Sequence, residues 1–124
     1  MPKIQLKRVY DSFDQSDGLR ILVDRIWPRG IKKEDAKLDE WLKEVAPSSE
    51  LRKWFGHDSQ HFEEFEQKYV NELRNDEEKK AAFEELWEKA KNNDITLLYA
   101  AKDEQHNQAV LLKKELMLRN RSSN

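Results

Sequence analysis

The chain opens with alternating polar and apolar positions, Lys3-Ile4-Gln5-Leu6-Lys7, followed by Val9, which predicts a strand buried on one side. A polar loop over residues 11–18 comes next. Leu19 to Ile26 then carries the unbroken apolar run Ile21-Leu22-Val23, and Ile95 to Ala101 reads Ile-Thr-Leu-Leu-Tyr-Ala-Ala. Such continuous runs of strand formers are what strands covered on both faces of a parallel sheet look like.

Between them the period changes to three and four. Leu38 to Val45 predicts a short helix with Trp41, Leu42 and Val45 on one side, closed by Pro47. Ser48 or Ser49 is placed to cap a second helix that buries Leu51, Trp54 and Phe55 and stops at Gly56. Asp58 opens a third through Phe62, Phe65, Tyr69 and Leu73, and Asp76 a fourth with Phe83, Leu86, Trp87 and Ala90, which Asn92-Asn93 ends in a left-handed exit. A fifth, from about Gln105 to Arg119, carries Ala109, Val110, Leu112, Leu116 and Met117 and leaves residues 119–124 as a frayed tail. The expectation is one compact α/β domain over 1–124, with a short, largely parallel sheet flanked by about five helices. No repeat or linker divides it.

Composition narrows the chemistry. A chain of 124 residues can bury one core but hardly two. Charged residues, at 39%, would suggest disorder by themselves, but four Trp, five Phe and three Tyr at helical spacing with few Gly and Pro mark a folded chain with charged helix exteriors. Cysteine is absent, so disulfides, thiol nucleophiles and cysteine-ligated zinc drop out, and a cytoplasmic location is expected. No apolar run reaches the roughly 18 residues of a membrane span, so no membrane partner is expected. Net charge is −2, spread unevenly: residues 1–33 carry 8 Lys/Arg against 4 Asp/Glu, residues 34–94 carry 10 against 18, and residues 95–124 carry 5 against 3. That balance weighs against a nucleic-acid face but leaves room for a local basic pocket.

In an open parallel sheet, ligands bind beyond the carboxyl ends of the strands. Three such ends are polar here: Lys7-Arg8; Asp24-Arg25-Ile26-Trp27-Pro28-Arg29-Gly30; and Lys102-Asp103-Glu104-Gln105-His106-Asn107. Pro28 fixes its own φ and biases Trp27 toward extended backbone, and Gly30 permits a sharp turn, so Arg25 and Arg29 project from a stiff loop. Two arginines aimed alike bind carboxylate or phosphate, and an indole between them offers a stacking face. The structural alternative is Arg25 paired with Asp24 or Asp103 and Trp27 filling core. Asp103 reads as the N-cap of the last helix, which would place His106 in its first turn, where the helix dipole favours neutral imidazole suited to proton transfer. His57 precedes the cap Asp58 and need not share a face with His61, so no metal or other cofactor is expected. Phosphate-loop and Ser-His-Asp signatures are missing.

Four stretches, LVDRIWPRG, WLKEVAPSSELRKWFGHD, FEEFEQKYVNEL and TLLYAAKDEQHNQAVLLKKEL, together resemble the DUF488 family of small bacterial proteins, in its YeaO-like branch, from about Ile4 to Leu118. The resemblance implies a compact α/β domain with a short, largely parallel sheet. Its motif positions include Arg8, Asp24, Arg25, Trp27, Arg29, Arg52, His57, Lys102, Asp103, His106 and Asn107, but not His61. Gln108 stands where similar proteins often have a second histidine, and Tyr99-Ala100-Ala101 stands where the wider family resembles a cysteine-containing segment, so neither a two-imidazole nor a thiol mechanism carries over.

These readings converge on a strand-end pocket for a small anion, phosphorylated or nucleotide-like, held by Arg8, Arg25, Arg29, Lys102 and Asn107 with Trp27 as a wall. His106 and His57 are the candidate proton carriers and Asp24 or Asp103 the orienting carboxylates of a hydrolase or transferase. The competing expectation is an interaction protein, a homodimer for instance, in which Trp54, Phe55 or Trp87 forms the contact and the arginines are structural.

Overall fold

The computed structural model of the chain describes residues 2–122. Four strands, β1 (Ile4–Arg8), β2 (Leu19–Leu22), β3 (Glu40–Trp41) and β4 (Ile95–Tyr99), form one wholly parallel sheet in the order β1-β4-β2-β3. Leu97 is the register partner of both Leu6 and Ile21, and Leu22 of Trp41. All five residues of β4, flanked on both sides, are buried. The helices are α1 (Lys33–Ala36), α2 (Ser49–Phe55), α3 (Phe62–Asn75), α4 (Glu77–Asn92) and α5 (Gln108–Ser122).

Alternation along the strands divides the core in two. Ile4, Ile21, Val23, Ile95, Leu97 and Tyr99 face the main cluster, to which α2 through α5 bring their apolar stripes. Leu22 and Leu98 face the other way, toward Val9, Trp27, Ile31, Leu38 and Trp41, so that face is covered by the connection from β2 to β3 rather than by long helices. The same side buries Arg20 and Asp17, each 1% exposed and in contact at 2.5 Å. Arg20 also donates to the carbonyls of Lys37 and Ala36, and Lys7 reaches Asp17 at 3.1 Å.

Where β2 starts, Leu19 N–H donates to the Asp94 carbonyl, and Gly18 lies so close that a Cβ built on it would be 2.2 Å from that oxygen. With φ at +65°, only glycine fits there.

Several local expectations hold. Ser48 caps α2 through Leu51 N–H, Gly56 ends it in the left-handed conformation, Asp58 caps the short 3₁₀ turn that leads into α3, and Asp76 caps α4. Others do not. Leu38 to Val45 is not a helix: Glu40–Trp41 pairs with β2, Leu42 N–H donates to the Leu22 carbonyl, and only Lys43–Val45 makes a 3₁₀ turn. The non-local partner outweighs the helical spacing. Asn93 leaves α4 in extended, not left-handed, backbone. Residues 119–122 are helical rather than frayed, because Arg119 pairs with Glu84 and lies over the Trp87 ring, tying the end of α5 to α4. Residues 123–124 lie outside the described residues.

Candidate functional site

The chain leaves neighbouring strands β4 and β2 in opposite directions. From β2 it passes outward to α1 and β3, while from β4 it turns into α5, which packs back against β4 and β1. Such a divergence opens a crevice at the carboxyl ends of the two strands. A cavity of about 780 Å³ occupies it, lined by the loop after β2, the loop after β4, the Ala46-Pro47 turn and α2.

Asp24 is part of the lining. Its Oδ2 accepts from Ala100 N–H at 3.0 Å, its Oδ1 accepts from Gln108 Nε2, and its carbonyl accepts from Trp41 Nε1 at 2.7 Å. One half-buried carboxylate thus ties together the ends of β2 and β4 and the start of α5. Burial raises its pKa from 3.8 to about 6, against the opposing pull of those two donors and of the Arg52 and His57 charges.

Arg25, Arg29 and Lys102 line the same cavity, as the sequence predicted, and Arg52 of α2 joins them. Arg25 pairs with neither Asp24 nor Asp103; its Nε donates to the Pro47 carbonyl at 3.1 Å. That turn is itself anchored, since Glu72 accepts from both the backbone N–H and the hydroxyl of Ser48. Among the described residues none of the four cations makes an ion pair. Trp27 is a wall, but a committed one: its Nε1 donates to the Ile31 carbonyl at 2.8 Å and its ring meets Trp41 edge-on at 5.4 Å.

His57 lines the cavity from the α2 side, its ring 6.2 Å from that of Phe55. Its φ of +59° follows Gly56 at +55°, a conformation that costs a non-glycine residue about 1 kcal/mol or more. Strain of this kind clusters at binding sites.

Four expected participants are held by the fold, two of them outside the lining. Arg8 lies outside the lining and donates to the Ala101 carbonyl from Nε and the Ala100 carbonyl from Nη2, so it braces the end of β4. His106 is also outside it: its Nδ1 lies 2.9 Å from Asp103 Oδ2 and its ring meets Phe62 edge-on. Asp103 lines the cavity but does not cap α5. It closes a turn by accepting from Gln105 and His106 N–H, and the Gln105 bond first, then the His106 ring, hold its carboxyl below the usual range. The cap is Asn107, whose Oδ1 accepts from Ala109 and Val110 N–H, so His106 precedes the helix and the dipole argument for it fails. With Nδ2 donating to the Asp103 carbonyl, the buried Asn107 amide serves the fold although it lines the cavity.

The sequence marked Arg52 only as a motif position and Gln108 only as a departure from a histidine, and both line the cavity. Arg52 and Phe55 stand three apart on α2 and line the cavity together, a spacing visible in the sequence. Among the described residues no three His, Cys, Asp or Glu side chains converge as a metal site would require, and no helix is long and apolar enough to cross a membrane.

A family model described as "Inactive DUF488-N3 subclade" matches residues 3–124. The chain belongs to the DUF488 family. Its YeaO-like character is equally plain: it is 50% identical over 109 residues to the uncharacterized protein YeaO of Escherichia coli (strain K12), covering 88% of this chain and 92% of YeaO. Uncharacterized proteins Mb3100c of Mycobacterium bovis and Rv3073c of Mycobacterium tuberculosis are each 49% identical over 71 residues, 57% of this chain and 60% of their own length. No solved structure matches. The fold expected of a DUF488 protein, a short parallel sheet in a compact α/β domain, is the one described above.

Proposed function

We propose that this DUF488 protein binds a small anion, phosphorylated or nucleotide-like, at the carboxyl ends of β2 and β4, without turning it over. The observation that carries the reading is the set of four cations, Arg25, Arg29, Arg52 and Lys102, around one cavity in a chain of net charge −2, none of them neutralised by an ion pair among the described residues. Guanidinium groups left in this state at a concave surface favour carboxylate or phosphate. Binding is preferred to catalysis on two grounds: the cavity lining offers no serine, threonine or cysteine nucleophile, and the matching subclade is described as inactive. The cysteine-free composition fits a cytoplasmic setting.

The interaction reading loses most of its surface. Phe55 and Trp87 are each 5% exposed, which leaves Trp54, at 38%, and its face is already occupied by the stacked His61 ring and by Lys68.

Calorimetry with inorganic phosphate and adenosine 5′-monophosphate tests the proposal. Arg29→Ala should remove binding and leave the unliganded melting temperature nearly unchanged, since the Arg29 side chain is exposed and makes no bond to the fold among the described residues. Equal affinity of the variant and the parent would refute it.

A further inference from the structure

A cavity built for a bare anion would not place an ionised carboxylate in its lining, yet Asp24 is there. Each of its oxygens takes one donor from the protein, Ala100 N–H on Oδ2 and Gln108 Nε2 on Oδ1. A carboxylate has about four acceptor sites, so two remain for what enters the cavity. They repel a second anion and attract a neutral donor. The rest of the wall points the same way: Ala46, Pro47, Phe55 and Phe65 line the cavity and offer no side-chain hydrogen bond, so an inorganic ion would leave them uncovered. At about 780 Å³ the space is in the range that holds an organic molecule.

We infer that the ligand is an organic anion with two ends, its charged group held by Arg25, Arg29, Arg52 and Lys102 and an uncharged hydroxyl or N–H group donating to Asp24. The inference rests on the anion-binding reading above and makes Asp24 the residue that sets specificity within it. At neutral pH Asp24 acts as an acceptor only. Near pH 5, below its raised pKa, it becomes a donor and the preference should weaken.

The test compares four probes by calorimetry at pH 7.5: inorganic phosphate, butyl phosphate, ribose 5-phosphate and adenosine 5′-monophosphate. At least one of the two donor-bearing esters should bind about tenfold more tightly than butyl phosphate, the worth of one hydrogen bond to a charged group. Asp24→Asn should erase that preference and tighten inorganic phosphate severalfold, because a like charge is gone. The wild-type comparison at pH 5 gives the same answer without a variant, as a preference reduced to a fewfold or less. If butyl phosphate binds as well as both donor-bearing esters, the two-ended ligand is overturned while the anion pocket stands. If no probe binds and Arg29→Ala changes nothing, the pocket reading itself falls.

Discussion

Replacing Asp24 by asparagine isolates the energetic cost of an ionised carboxylate in the cavity lining. Its folded-state pKa of about 6 lies above the ordinary 3.8, a gap worth about 3 kcal/mol at about 1.4 kcal/mol per tenfold change in proton affinity. The sign follows from linkage: between the two values the folded chain holds the proton more tightly than the unfolded one, so stability falls as pH rises from about 4 to 6 and stays low above. At pH 8 the wild type therefore carries the whole penalty, and at pH 4 most of it is relieved. Asparagine does not titrate, and geometry lets it fit: its oxygen can accept from Ala100 N–H, and its amide can donate to Gln108 once that side chain turns its own oxygen inward. Urea unfolding of both proteins at pH 8, 6.5, 5 and 4 should show the difference in unfolding free energy shifting by about 2–3 kcal/mol in favour of the variant from pH 4 to pH 8. Titration of every other carboxylate is common to both chains and cancels. Parallel stability curves across that range would refute the reasoning.

Two further substitutions probe the scaffold. Gly18→Ala drives a methyl group into the Asp94 backbone that starts the β2–β4 pairing and imposes an unfavourable φ, so it should cost about 3 kcal/mol or more in urea unfolding; a loss under about 1 kcal/mol would mean the junction yields easily. Asp17→Asn leaves Arg20 buried without its counter-charge and should cost about 3–5 kcal/mol, read as a lower melting temperature at pH 7. Burial alone would raise the Asp17 pKa, but bonds from the Asp14 backbone, Lys7 and Arg20 outweigh it and lower it. The stability that lowering contributes is therefore present above about pH 4 and is lost as pH falls through the folded value, so the deficit of the variant should narrow in acid.

What the sequence made legible depended on how local the deciding interaction is. Ser48, Gly56, Asp58 and Asp76 act within a few residues of themselves, and the sequence named each, Ser48 as one of two adjacent candidates and Asp58 as the opening of α3 rather than of the 3₁₀ turn before it. β3 has two residues and exists because β2 lies beside it, so Trp41, Leu42 and Val45 displayed a helical spacing with no helix behind it. Asp103 and Asn107 are both good capping residues four apart, and spacing alone does not say which of them takes the Ala109 and Val110 N–H groups, as Asn107 does. The loop cations Arg25, Arg29 and Lys102 were legible because strand-end loops converge in any parallel sheet. Arg52 was marked only as a motif position of the family resemblance, since a basic residue on a charged helix looks like a solvated exterior until Phe55 beside it is seen to face the cavity. Nor did anything near Arg8 in sequence reveal the Ala100 and Ala101 carbonyls that hold it.

The same molecule supplies its own control for what a structural arginine looks like. Arg20 is 1% exposed, touches Asp17 at 2.5 Å and also donates to two carbonyls; Arg8 likewise closes on two carbonyls. Where this fold needs a guanidinium for support, it surrounds the group with acceptors. Around the cavity the pattern is reversed. Asp24 is near enough for the Arg52 charge to depress its pKa, yet its two oxygens are bound by uncharged donors, while Arg25 gives one bond to Pro47 and Arg29, Arg52 and Lys102 make no ion pair among the described residues. Under the anion-binding proposal, these uncompensated cations are the place where a counter-charge from outside the chain would sit.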